Sequence, residues 1–142
     1  MKTLYTAVAT AHGGRQGHVK SDDGVLDLDT VTPKAMGGPG GNGTNPEQLF
    51  AAGYSACFQS AMMYVARVQK LDIGDSSVTG HVSIGPNDDG AGFMLAVKHV
   101  VTLPTLDQAA AEKLVHDAHQ VCPYSNATRG NMAVEFEVKG GA

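Results

Sequence analysis

The chain has 142 residues, a length that fits one domain able to bury its own core, with 42% apolar residues, 6% aromatic residues and no tryptophan. A net charge of −4 and the lack of any basic run argue against nucleic acid or an anionic membrane surface as partner, since both need a positive patch. No segment approaches the ~20 apolar residues of a bilayer span, and Leu4 to Ala11, interrupted by Thr6 and Thr10, is too short and polar for a signal-peptide core. The expectation is a cytoplasmic protein of one domain over residues 1–142.

Taken in chain order, residues 4–12 and 18–29 read as short strands joined by the turn Gly13-Gly14-Arg15-Gln16-Gly17. Asp22-Asp23-Gly24 splits the second stretch into two arms, and Leu26 and Leu28 share a face in the later arm. Residues 33–44 are dense in glycine around Pro39 and read as a mobile loop with no regular element. The Gly-Lys-Ser/Thr ending of a phosphate-binding loop is missing. Asn45 is a good N-cap, Pro46 suits the first helical position and Gln48 sits at N3, so a helix opens there. From Leu49 to Val68 it is apolar nearly all round, which marks a buried helix. Burial of a whole helix in so small a chain points to a partner subunit packed against it.

Val78, Val82 and Ile84 alternate with polar residues in one strand, Phe93 to Leu103 in a second, and Met132 to Val138 in a third. Period two with a polar face predicts antiparallel pairing. Between the last two strands a helix carries the stripe Ala111, Leu114, Val115 and Ala118. Thr105 and Gln108 have capping-box spacing, and Pro123 stops the helix and forces Cys122 out of helical geometry. The order of strands, helix, strands, helix and strand makes an α+β fold.

Chemistry concentrates on two cysteines. Without an export signal they are either inert core residues or working thiols. Cys57 lies in the most apolar segment, where burial alone raises a thiol's pKa. A break at Gly53 or Ser55 would start a new helix and place Cys57 in its first turn, where the dipole favours a thiolate. Along one unbroken helix the ten residues from Glu47 to Cys57 rise ~15 Å, so a kink or a bridging side chain is needed to join them. Arg15 is a candidate bridge, because a guanidinium can hold a carboxylate through two parallel hydrogen bonds and still offer further N–H groups. Taken alone, Arg15 also reads as a solvated turn residue and Glu47 as a first-turn acid that complements the dipole. Cys122 follows a helix C-terminus, which disfavours a thiolate and suits a resolving thiol or a buried cap. Of the six histidines only His116 and His119 share a helical face, and no third metal ligand lies near them. Gly53-Tyr54-Ser55-Ala56-Cys57 lacks the last glycine of a nucleophile elbow.

The segments Gly13 to Gly17, Thr44 to Tyr54, Ala56-Cys57-Phe58 and Val121 to Ala127, in this order, resemble the organic hydroperoxide resistance branch of the Ohr/OsmC family. The likeness runs through nearly the whole chain. It implies an intertwined homodimer with bent antiparallel sheets wrapped around central helices. It further implies a peroxidase selective for organic hydroperoxides, fatty-acid hydroperoxides included. Cys57 matches the peroxidatic position, Cys122 the resolving one, and Arg15 and Glu47 the pair that activates the thiol. The implied reductant is a lipoyl-type dithiol, as dihydrolipoamide or on a lipoylated protein, with no bound cofactor. Phe50, Tyr54, Phe58, Met62 and Met63 are candidates for an apolar substrate lining. A broader OsmC-type peroxidase, a redox sensor without turnover and a fatty-acid-binding module are the competing readings.

Overall fold

Among the described residues, short alternating segments and helices opened at Asn45 and stopped at Pro123 give an α+β fold of two three-stranded sheets and three α-helices. The computed structural model describes residues 1–141 as two compact units, one from Met1 to Leu49 and the other from Phe50 onward.

In the first unit three short strands form an antiparallel sheet: β1 (Ala9–His12), β2 (His18–Ser21) and β3 (Asp27–Asp29). The expected strand over 4–12 is confined to its last four residues, and Leu4 and Tyr5 stand exposed before it. The turn between β1 and β2 is held shut by Thr30, whose hydroxyl donates to the Gly14 carbonyl at 2.7 Å and accepts from the Gly17 amide at 2.9 Å. Gly17 has no alternative there, because a Cβ would lie 1.9 Å from the His12 carbonyl oxygen. The glycine-dense stretch 33–44 carries more structure than a mobile loop. Lys34–Met36 forms a 3-10 turn, and Thr44 closes the segment by accepting from the Val31 amide and donating to the Asp29 carbonyl. Glycine composition hides such ordering because the bonds are made by the main chain, which every residue shares.

Helix α1 (Pro46–Val68) begins in this unit and continues through the next. The Asn45 side chain accepts from the Gln48 amide at 2.9 Å, the cap expected of it. The helix is unbroken at Gly53 and Ser55, which corrects the idea of a fresh start before Cys57. One glycine costs a helix only about 1 kcal/mol, too little to end it within an otherwise favourable run.

In the second unit β4 (Ser77–Pro86) and β5 (Phe93–Leu103) pair antiparallel, and β6 (Val134–Gly140) joins β5 in parallel. The alternation of β6 had pointed to an antiparallel partner. What period two reports is that one sheet face is wet and the other packed, and a parallel edge strand satisfies that equally well. The crossover runs through α2 (Gln108–Val121) and the six-residue α3 (Pro123–Thr128). The cap of α2 is Asp107, which accepts from the Ala110 amide, whereas Thr105 donates to the Asp72 carbonyl.

The core of this unit joins one face of α1 (Tyr54, Phe58, Ala61, Met62, Val65, Ala66) to Val97, Val101 and Leu103 of β5 and the apolar stripe of α2. The opposite face of α1 is bare, so the helix is buried on one side and not all round. Met63 is 54% exposed, Tyr64 53% and Val68 64%. Among the described residues no helix is long and apolar enough to cross a membrane.

Candidate functional site

Two constellations stand out, one in each unit. In the first, Arg15 projects from the β1–β2 turn and meets Glu47 in the first turn of α1. Nη1 donates to Oε2 at 2.8 Å and Nη2 to Oε1 at 2.6 Å. This fork-to-fork geometry is specific to arginine, and a lysine could supply only a point charge. The Arg15 contact holds the Glu47 carboxyl below its usual range against the opposing effect of partial burial. Glu47 in turn pushes the Arg15 guanidinium further up, so the pair stays ionised at any physiological pH. Two guanidinium N–H groups are consumed, and the remaining donors are left for another acceptor.

In the second unit the Cys57 and Cys122 sulfurs lie 3.7 Å apart as free thiols. Cys57 is partly accessible and Cys122 is fully buried. A disulfide needs a sulfur separation near 2.05 Å, so the pair is poised to bond after a small movement. Cys57 sits three turns into α1, beyond the reach of the helix N-terminus. Burial raises its pKa, a hydrogen bond from the main chain of Tyr124 lowers it, and neighbouring Cys122 raises it again. The helix alone therefore does not make Cys57 a thiolate.

Cys122 has extended geometry between α2 and α3, as Pro123 requires, with its amide bonded to the Ala118 carbonyl. Immediately after it, α3 leans on α1. The Tyr124 hydroxyl lies 2.8 Å from where a Gly53 Cβ would stand, so the absence of a side chain at 53 lets this ring approach the helix. The Tyr124 ring also meets those of Phe50 and Tyr54 at centroid separations of 5.9 and 5.5 Å. Tyr54 Oη and Ser125 Oγ share a hydrogen bond of 2.8 Å, and Ser125 Oγ also contacts His119 Nδ1 at 2.7 Å. His119, paired with His116 in the sequence, thus turns inward to a hydroxyl.

The five apolar candidates divide. Tyr54, Phe58 and Met62 are wholly buried in the core, Phe50 packs at its margin, and Met63 projects from the bare face of α1. The spacing of large apolar residues identifies a helix face without saying whether protein or ligand covers it. Another buried group is His99 on β5, whose two ring nitrogens lack a hydrogen-bond partner among the described residues. It stacks against Phe58 and Phe136 and meets the Tyr54 ring edge-on at 4.3 Å. Burial depresses its pKa to about 4, helped by the neighbouring charges of His119 and His81.

The family described as OsmC-like protein matches residues 38–137. The chain belongs to that family. Among its OsmC-like relatives, the organic hydroperoxide resistance protein OhrB of Bacillus subtilis is 52% identical over 136 residues, covering 96% of this chain and 98% of the relative. An organic hydroperoxide resistance protein of Xanthomonas axonopodis pv. citri is 52% identical over 134 residues, 94% of this chain and 93% of its own. The crystal structure of an organic hydroperoxide resistance protein from Legionella pneumophila superposes with a TM-score of 0.92 at 53% identity, covering 97% and 99% of the two chains.

Reading the sequence of this OsmC-like chain singled out Arg15, Glu47, Cys57 and Cys122, and the structure joins them as two pairs. It also adds residues that composition did not flag. Thr30 fixes the turn that presents Arg15 and Ser125 links α3 to α1, while Gly53, expected as a break, instead admits Tyr124. A buried serine or threonine inside a helical or loop segment carries no sequence signal of its own, because its role appears only when its partner is in place.

Proposed function

We propose that the chain is a cysteine-based peroxidase that reduces organic hydroperoxides, including those of fatty acids, to alcohols. The observation that carries this reading is the pair of free sulfurs 3.7 Å apart, one accessible and the other buried. That placement gives a thiol oxidised at Cys57 a second thiol within reach of a small movement.

Cys57 is the attacking thiol, since it is the partly exposed residue of the two and Cys122 is fully buried. Its thiolate attacks the peroxide O–O bond, the alkoxide leaves as alcohol after taking up a proton, and sulfur keeps the other oxygen as a sulfenic acid. Cys122 then attacks that sulfur, water leaves, and a Cys57–Cys122 disulfide remains. A lipoyl-type dithiol returns both thiols by exchange and is itself oxidised to its cyclic disulfide. Because burial pushes the Cys57 thiol up, activation requires a cation. We assign that task to Arg15, which stays protonated and is held in plane by Glu47. Phe50 and Met63 are the members of the expected lining that are not buried in the core. The working unit is a homodimer, supported by the bare apolar face of α1 at Met63 and Val68 and by the exposure of Leu4 (92%) and Tyr5 (80%).

The test is peroxide consumption at neutral pH with dihydrolipoamide, comparing cumene hydroperoxide with hydrogen peroxide. Wild type should turn over the organic peroxide faster, and Cys57→Ser should be inactive. If the fully reduced wild type shows no turnover, the peroxidase reading fails and a sensor or lipid-binding role takes its place.

A further inference from the structure

The two sulfurs sit on different elements, Cys57 on α1 and Cys122 at the bend between α2 and α3. Their separation is therefore set by whatever fixes that bend to α1. Three contacts do so in succession. Tyr124 lies on Gly53, Tyr54 Oη bonds Ser125 Oγ, and Cys122 faces Cys57. Tyr54 precedes Cys57 by three residues on one side, and Ser125 follows Cys122 by three on the other. Tyr54, Ser125 and Cys122 are all fully buried.

Ser125 is also the knot between the two helices that flank Cys122. Its hydroxyl reaches His119 Nδ1, in the last turn of α2, while its own residue lies in α3. Arg129 reinforces the same bend by donating to the His119 carbonyl, and to the Asn126 side chain at 2.8 Å. The Tyr54 hydroxyl has one further neighbour, Thr128 Oγ1 at 3.4 Å, and Thr128 donates to the Tyr124 carbonyl at 2.9 Å. The polar chain His119–Ser125–Tyr54 thus crosses a core whose other buried polar groups nearby are Thr128 and His99. In such surroundings a hydroxyl without a partner is expensive, so the chain tolerates little sliding of α3 along α1.

We propose that Tyr54, Ser125 and His119 are positioning residues for the resolving step, forming a clamp that holds Cys122 within reach of oxidised Cys57. The proposal rests on the peroxidase reading above. In the step concerned, the Cys122 sulfur bonds the Cys57 sulfur and the S–O bond of the sulfenic acid breaks. The oxygen leaves as water with the proton from Cys122. No external oxidant or reductant enters. The clamp acts on where Cys122 sits and not on the first attack, which uses Cys57 with Arg15 and Glu47. When closure is slow, the sulfenic acid persists and a second hydroperoxide carries it to sulfinic acid.

The experiment follows single turnovers of fully reduced protein with cumene hydroperoxide, using wild type, Tyr54→Phe and Ser125→Ala. Peroxide loss reports the first step, and quenching with a thiol-alkylating reagent followed by peptide mass analysis reports disulfide against sulfenic and sulfinic forms. Tyr54→Phe removes one oxygen and keeps the ring in the core. It keeps the test open if Ser125→Ala does not fold, as judged by thermal melting. The clamp predicts an unchanged first step, closure slowed about tenfold in Tyr54→Phe and more in Ser125→Ala, and accumulation of Cys57 sulfinic acid with excess peroxide. A merely stabilising role would lower the melting temperature and leave the ratio of disulfide to sulfinic acid as in wild type, which would overturn the clamp. Wild type that neither consumes the hydroperoxide nor forms the disulfide would instead overturn the peroxidase reading on which the clamp depends.

Discussion

Arg15 and Glu47 are joined by two parallel hydrogen bonds of 2.8 and 2.6 Å, although 32 residues separate them in the chain. Each fixes the ionisation of the other, and the pair links the β1–β2 turn to the first turn of α1. The proposed activation of Cys57 therefore depends on both partners.

Arg15→Lys keeps the charge and loses the fork, so the first-step rate with an organic hydroperoxide should fall at least about tenfold. Glu47→Gln should give a loss of similar order by releasing the guanidinium. The double variant should be little worse than either single one, because the two act as a unit. Stopped-flow peroxide consumption measures all three, and simple additivity of the losses would show that Arg15 works without Glu47.

Cys122→Ser should leave the first step intact and abolish the intramolecular disulfide. With excess organic hydroperoxide the variant should pass to sulfinic acid at Cys57, visible as two added oxygens in the intact mass. Persistence of full catalytic turnover in this variant would remove Cys122 from the cycle.

His99 sets an acid limit on stability. Its folded-state pKa of about 4 lies below the 6.5 of an unperturbed histidine, so the unfolded chain takes up the proton first as pH falls. The stability gained by keeping His99 neutral is fully present above pH 6.5 and drains between 6.5 and 4. The loss is about 3 kcal/mol if the whole shift is realised. His119, lowered by burial first and by the charges of Arg129 and His116, acts in the same direction. His99→Phe, which suits the aromatic stack, should flatten the acid limb in denaturant titrations across this range. An unchanged acid limb would mean that other groups control it.

Met63 carries the prediction about assembly. It is 54% exposed on the bare face of α1, and a charge placed there would be buried and unpaired in a dimer built on that face. Sedimentation should show wild type as a dimer and Met63→Glu shifted towards monomer. A monomeric wild type at micromolar concentration would contradict the dimer.

The sequence reading succeeded where a feature is local or chemically distinctive. The start of α1 was legible because Asn45, Pro46 and Gln48 each act within one turn, and the Gly13–Gly17 turn because few residues tolerate that backbone. The parallel direction of β6 was missed because alternation records which side is wet and says nothing of strand sense. The helix-bearing connection from β5 was the better signal, since parallel neighbours need such a crossover. Thr105 was mistaken for the α2 cap because it has the right spacing, while Asp107 takes the position and Thr105 bonds Asp72. Tyr54 could not be assigned from sequence to lining or core, and its buried partner Ser125 lies 71 residues away. Pairings at that range are decided by packing, not by local pattern.

The most direct test of the central claim is the mass of the reduced protein before and after one equivalent of cumene hydroperoxide. The account predicts a product lighter by two hydrogens, in which the peptides carrying Cys57 and Cys122 are joined by a disulfide, and a return to the starting mass on adding dihydrolipoamide. An unchanged mass, or a stable gain of oxygen with Cys122 still free, would contradict it.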